Sequence, residues 1–208
     1  MASIVFGLYA GVGAGKSTVA GCFAALGALV LDADEFVHAA YRDPIVRSAV
    51  QARFGAAILT LEGVDRAALA RLVFRDAEAR RDLESIVHPA VRQGIESALL
   101  GPESMSRPAF VLDVPLLVGS PLERFVTVGI YIDAPLAVRE ARVRAARGWE
   151  PGEVARRDQV QASLEAKRAR CRYVVWNDEQ TDAESLRQQV QAIWSSEVAP
   201  SRSVPRSL

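Results

Sequence analysis

An apolar run, SIVFGLYA, leads straight into GVGAG and then into KSTVAGCFAAL, and few backbones accommodate that order. A short run rich in β-formers and closed by glycines predicts a strand, Ser3 to Tyr9, buried on both faces. The segment after it has good helix formers despite one glycine, and ALVLD reads as a second short buried strand. A strand–loop–helix–strand opening requires a parallel sheet with a right-handed crossover. The expected class is therefore α/β, a three-layer P-loop architecture in which helices flank a parallel sheet.

The loop itself specifies chemistry. AGVGAGKS fits the pattern G-x-x-x-x-G-K-[ST] at Gly15, Lys16 and Ser17, with Ala10 in place of the first glycine. Such a loop turns successive backbone N–H groups inward as an anion nest, here at Gly11, Gly13, Ala14 and Gly15. The helix that starts at Lys16 adds the positive end of its dipole. Lys16 reaches the β and γ phosphates, Ser17 offers its hydroxyl to Mg²⁺, and Thr18 follows closely. ATP and Mg²⁺ are the expected ligands. Alanine at position 10 is tolerable unless the backbone there needs a positive φ.

The rest of the chain narrows the class. With 208 residues the expectation is one domain, and 25 basic against 25 acidic side chains give no general grip on nucleic acid or an anionic membrane. Two cysteines, Cys22 and Cys171, make no disulfide framework, and with two histidines they make no convincing zinc cage. No stretch approaches the ~20 apolar residues that cross a bilayer. A cytoplasmic protein with a small-molecule substrate, and neither nucleic-acid nor membrane partners, is expected.

From Ala33 to about Leu100 the pattern is helical, without a clear strand. Asp43-Pro44, Asp65 and Asp76 each read as helix starts, and Pro89 predicts a break or kink near His88. Strands return at Ala109–Val114, Thr127–Asp133 and Tyr173–Trp176. Helices are expected at Pro135–Arg147, Glu153–Arg168 and from Asp182 to Trp194. These bounds give a core of 1–34, 106–138 and 170–198, a helical substrate-binding insertion at about 35–105, a small helical lid at about 139–169, and a disordered tail at 199–208. Most lid arginines are expected on a solvated face, and Trp149, Trp176 and Trp194 are expected to pack.

Among nucleotide-binding classes, a small-molecule kinase fits best. The chain has no N-K-x-D guanine motif, and Asp113-Val114-Pro115-Leu116 stands where a GTPase switch would carry DxxG. The second strand ends in Asp32-Ala33-Asp34, and carboxylates at the end of a parallel strand face the ligand crevice. One could hold Mg²⁺ through water and the other could take a proton from an attacking hydroxyl. Alternatively, Asp32 simply caps the next helix.

In order, the chain then resembles the dephospho-coenzyme A kinase family from residue 3 to about 194. The family's GGIGSGKSTV appears as AGVGAGKSTV, and its DAD as Asp32-Ala33-Asp34. Phe54-Gly55, Val64-Asp65-Arg66, Ile86-Val87-His88-Pro89, Asp113 to Leu117, Gln161 with Lys167-Arg168, and Tyr173 to Asn177 follow. The resemblance implies transfer of the γ-phosphoryl group of ATP to the 3′-hydroxyl of dephospho-coenzyme A. It implies Asp34 as catalytic base and acceptor contact, and Lys16 with Ser17 at the phosphates and metal. It implies Arg142 as the lid arginine at the transferred group, His88 near the acceptor, and Asn177 near the nucleotide; Asp32 is the further metal candidate. The chain departs from the family at Tyr9, Ala10, Val118-Gly119, Gly148 and Arg172. A related kinase with another acceptor, or a catalytically weakened nucleotide-binding regulator, are the alternatives.

Overall fold

The computed structural model describes residues 3–60, 63–74 and 76–198; the expected tail at 199–208 lies outside them. In chain order the elements are β1 (Ile4–Ala10), α1 (Lys16–Ala25), β2 (Leu29–Asp32), α2 (Ala33–Ala40), α3 (Pro44–Phe54), β3 (Leu59–Thr60), β4 (Gly63–Val64), α4 (Arg66–Phe74) and α5 (Ala77–Leu100). They continue as β5 (Ala109–Asp113), β6 (Val128–Asp133), α6 (Leu136–Arg147), α7 (Glu153–Gln159), α8 (Leu164–Arg168), β7 (Tyr173–Trp176) and α9 (Ala183–Glu197). The chain divides into two compact units, Met1–Leu31 with Pro102–Leu208, and Asp32–Gly101.

The first unit is built on a five-stranded sheet of order β2-β5-β1-β6-β7. The ladders β1–β5, β1–β6 and β6–β7 are parallel, with Phe6 opposite both Val111 and Val128. β5 is buried along its whole length and β1 along all but its ends, which is why both read as continuous apolar runs. Helices α1 and α9 close one face through Val19, Phe23, Leu186, Val190 and Ile193. The Phe6 ring lies 4.7 Å from Phe23 and 6.5 Å from Trp194, centroid to centroid. The carboxyl ends of β1, β5, β6 and β7 therefore share one edge, where open α/β sheets bind ligands.

The second unit is a helical cluster around α5, whose Val87, Val91, Ile95 and Leu99 form one buried stripe at i, i+4 spacing. Asp43 and Asp76 cap α3 and α5 as expected, each accepting two backbone N–H bonds. Of the expected break or kink near His88, the break does not occur: α5 runs from Ala77 to Leu100 through Pro89. Proline forfeits one helical hydrogen bond and strains the turn before it, at about 3 kcal/mol. The apolar stripe continues on both sides of Pro89, so its burial outweighs that cost.

Two other expectations change. The middle segment does contain strands, the two-residue pair β3–β4, with Leu59 opposite Val64; so short a pair gives no alternating pattern to read. The expected helix 153–168 is two helices, because Ser163 caps α8 by accepting the Ala166 N–H and so restarts the chain. Among the described residues no helix is long and apolar enough to cross a membrane.

Candidate active site

The loop between β1 and α1 follows from its glycines. Gly13 and Gly15 have φ of 80° and 90°, in the left-handed region where a side chain is strained. A Cβ on Gly15 would also collide with the Asn177 amide nitrogen. Ala10 closes β1, and no non-glycine residue among those described has a positive φ, so alanine there is unstrained. The Ala14 N–H turns back to Gly11 O at 3.2 Å, and the Thr18 N–H to Gly15 O at 3.1 Å. Among the described residues, the amides of Gly13, Gly15, Lys16 and Ser17 meet no protein acceptor. Orphan donors at a helix N-terminus make an anion cradle.

Side chains from distant parts of the same unit hold that cradle from behind. Lys167 Nζ donates to Ala10 O at 2.9 Å and to Gln161 Oε1 at 2.7 Å. Lys167 is buried, and burial lowers its pKa below the usual lysine range. The Arg139 guanidinium donates to Val12 O at 3.2 Å and Ala134 O at 3.1 Å, and it pairs with Asp158 at 2.6 Å. Asp158 in turn accepts the Val12 N–H at 2.9 Å. Asn177 Nδ2 donates to Ala14 O at 2.8 Å. Arg142 donates to Asn177 O, Asn177 Oδ1 and Asp178 O at 2.9, 3.1 and 3.3 Å. A loop so tied is preorganised for phosphate rather than ordered by it.

Arg144, Arg147, Arg156 and Arg157 are exposed as expected of most lid arginines, but Arg139 is an exception: its side chain is only 6% exposed and that of Asp158 13%. Removing one partner leaves a buried, uncompensated charge, which costs about 3–5 kcal/mol. Thermal unfolding should therefore show Arg139→Ala and Asp158→Ala each strongly destabilised. A change of a degree or less in Tm would mean that water screens the pair.

At the front of the cradle two side chains meet one carboxylate. Lys16 Nζ lies 2.7 Å from Asp113 Oδ1, and Ser17 Oγ donates to Asp113 Oδ2 at 3.4 Å. Asp113 is 5% exposed. In the sequence Asp113 ends an apolar strand, the same signal that marks Asp32. Lys167 and Gln161 carry no comparable local signal. Lys16, Lys167 and Gln161 share a cavity of about 30 Å³ with Tyr9, Pro115 and Leu117. The Tyr9 hydroxyl donates to Glu123, which also pairs with Arg170 at 2.7 Å. Burial raises the pKa of that phenol, and pushes the Cys171 thiol up to about 12. Burial likewise raises the Cys22 thiol pKa, which lowers the thiolate fraction at both cysteines.

In the helical unit, Asp32 caps α2, its Oδ1 accepting the Asp34 N–H at 2.8 Å. Asp34 sits exposed in the first turn of α2, and His88 lies exposed in mid-α5. Trp149 is stacked under Arg157 and Arg147, with guanidinium carbons 3.9 and 5.2 Å from its ring centroid. Trp194 packs as expected, but Trp176 is 51% exposed, on the edge strand β7.

A parallel sheet whose first strand ends in a phosphate cradle, with a lysine and a strand-end carboxylate at its mouth, defines a P-loop phosphotransferase. A family model described as dephospho-CoA kinase matches residues 4–183, and the chain belongs to that family. The dephospho-CoA kinase of Symbiobacterium thermophilum is 37% identical over 91% of this chain and 80% of its own. That of Methylococcus capsulatus is 42% identical over 73% and 76%. The crystal structure of TT1252 from Thermus thermophilus superposes with a TM-score of 0.75 at 31% identity, covering 95% of this chain and 99% of that one.

Proposed function

We propose that this chain transfers the γ-phosphoryl group of ATP to the 3′-hydroxyl of dephospho-coenzyme A, giving coenzyme A and ADP in the last step of coenzyme A biosynthesis. The observation that carries the reading is the braced cradle with Lys16 and Ser17 on Asp113. The polyphosphate takes the orphan amides, and Lys16 neutralises charge on the β and γ groups. The bond from the β–γ bridging oxygen to the γ phosphorus breaks as the ribose oxygen bonds to that phosphorus. Asp34 accepts the hydroxyl proton, and the bridging oxygen leaves with ADP.

Mg²⁺ suits this donor set. The Ser17 hydroxyl and the Asp113 carboxylate are hard oxygen donors, and among the described residues no group of three or more His, Cys, Asp or Glu forms a cage. That matches an ion that takes one or two protein ligands and completes its shell with water and phosphate. Bound there, Mg²⁺ supplies neutralising charge to the phosphates. Asp113 is preferred to Asp32 as the accompanying carboxylate because Asp32 caps α2.

We assign residues 32–101 to acceptor binding, with His88 near the acceptor. The segment 139–169 is assigned to a lid that excludes water, which would otherwise consume ATP. Arg142 is assigned to the transferred group, for which its guanidinium must exchange the Asn177 and Asp178 acceptors for phosphate oxygens. Asn177 is assigned to the nucleotide through the loop carbonyl that it holds. The cytoplasm is the assigned location.

The test is purified protein with ATP, Mg²⁺ and dephospho-coenzyme A, followed by coenzyme A formation. Turnover that stops with EDTA and returns with Mg²⁺ is expected. Intact ATP binding without product would favour a regulator, and product only from another alcohol would favour a related kinase.

A further inference from the structure

His38 stands in an arrangement that no protonation state satisfies. Its Nε2 lies 3.0 Å from Arg42 Nη2, and its Nδ1 lies 2.9 Å from Arg66 Nη1. A guanidinium only donates, whereas a neutral imidazole accepts at one nitrogen and donates at the other. One of the two contacts therefore always sets donor against donor, and a protonated ring makes both so. None of the ion pairs within the described residues uses Arg42 or Arg66. All three side chains are exposed. The imidazole can accept from only one of the two guanidinium groups, and the donor-against-donor contact that is left is resolved by an oxygen placed among the three side chains.

The fold assembles this cluster on purpose-built local structure. His38 is in the last turn of α2 and Arg42 follows just past its end. Arg66 comes from the far side of the β3–β4 pair, whose Gly63 approaches the Tyr41 carbonyl and whose exit is fixed by the Asp65 N–H on Ile58 O at 2.7 Å. Asp65 then holds the first turn of α4, accepting from Ala67 and Ala68 at 3.0 and 2.9 Å. His38 is also four residues after Asp34, so both lie on one face of α2, about 6 Å apart along its axis.

We infer that Arg42, His38 and Arg66 bind the diphosphate bridge of the acceptor. The inference rests on the acceptor reading above. In that acceptor the reacting hydroxyl and the diphosphate hang from one ribose, separated by the ring and a methylene group. A base one helical turn from a three-donor anion site matches that spacing. The cluster thereby selects acceptors that carry a diphosphate over bare nucleosides.

The experiment titrates dephospho-coenzyme A into the full-length protein without ATP, by calorimetry, for wild type, Arg42→Ala and Arg66→Ala. Each alanine variant should bind it about tenfold more weakly or worse, the scale of a lost charge-assisted phosphate contact. Adenosine, which keeps the ribose and lacks the diphosphate, should lose less than about twofold, and Arg66→Lys should recover part of the loss. An unchanged thermal unfolding midpoint excludes a folding defect; should either alanine variant unfold early, Arg66→Lys and Arg42→Lys carry the same comparison. Wild-type affinity in both alanine variants overturns the inference, as does an equal loss for adenosine. Coenzyme A formation by the wild type is scored separately, so turnover with unaltered variant affinities sinks this inference alone, and no turnover sinks the acceptor reading.

Discussion

Asp34→Asn should reduce kcat by about 10²- to 10⁴-fold, the usual contribution of a positioned general base. The amide keeps the shape of the side chain but cannot take the proton released by the ribose hydroxyl. The substitution leaves the α2 cap in place, because the bond to Asp32 comes from the backbone N–H of residue 34. The side chain is exposed, so stability should move by no more than about 0.5 kcal/mol. ADP release measured with both substrates saturating, alongside ATP binding by calorimetry, checks this. Retention of most of the turnover would place the base elsewhere or show that the hydroxyl needs none.

Lys16→Ala should cost both ATP affinity and turnover, the latter by about 10²- to 10³-fold, as when one preorganised charge-stabilising donor is removed. It has a second consequence that the sequence pattern alone does not predict. Asp113 Oδ1 loses its 2.7 Å charged partner while nearly buried, keeping only the Ser17 hydroxyl at 3.4 Å on Oδ2, and a buried group left short of a partner costs about 1–3 kcal/mol. Lys16→Ala should therefore unfold at a lower temperature than wild type. The double variant Lys16→Ala with Asp113→Asn should regain much of the Tm without regaining activity. Recovery of activity in the double variant would show that Lys16 acts by neutralising Asp113 and not the phosphates.

The contrast between these two residues tracks what local sequence encodes. The cradle was legible because its conformation is a local property: glycines at 13 and 15 permit the left-handed backbone, and the helix start at Lys16 follows at once. The buried strands and the aspartate caps were legible for the same reason, since each depends on a few neighbouring residues. His38 was not singled out at all, because nothing near it in the chain announces Arg66, 28 residues away.

What the sequence by itself determined is the α/β class, the phosphate loop, the order of the motifs and hence the family. Only the tertiary structure decided that Pro89 stays inside a helix, that Arg139 and Lys167 are buried braces of the loop, and that Asp113 is the carboxylate facing Lys16 and Ser17. The physical reason is one of range. Backbone dihedrals and caps are set over a few residues, whereas the worth of a charge or a proline depends on what has been brought against it and on how much water is left there. Lys167 meets Ala10 across 157 positions of chain, a separation that no local pattern spans.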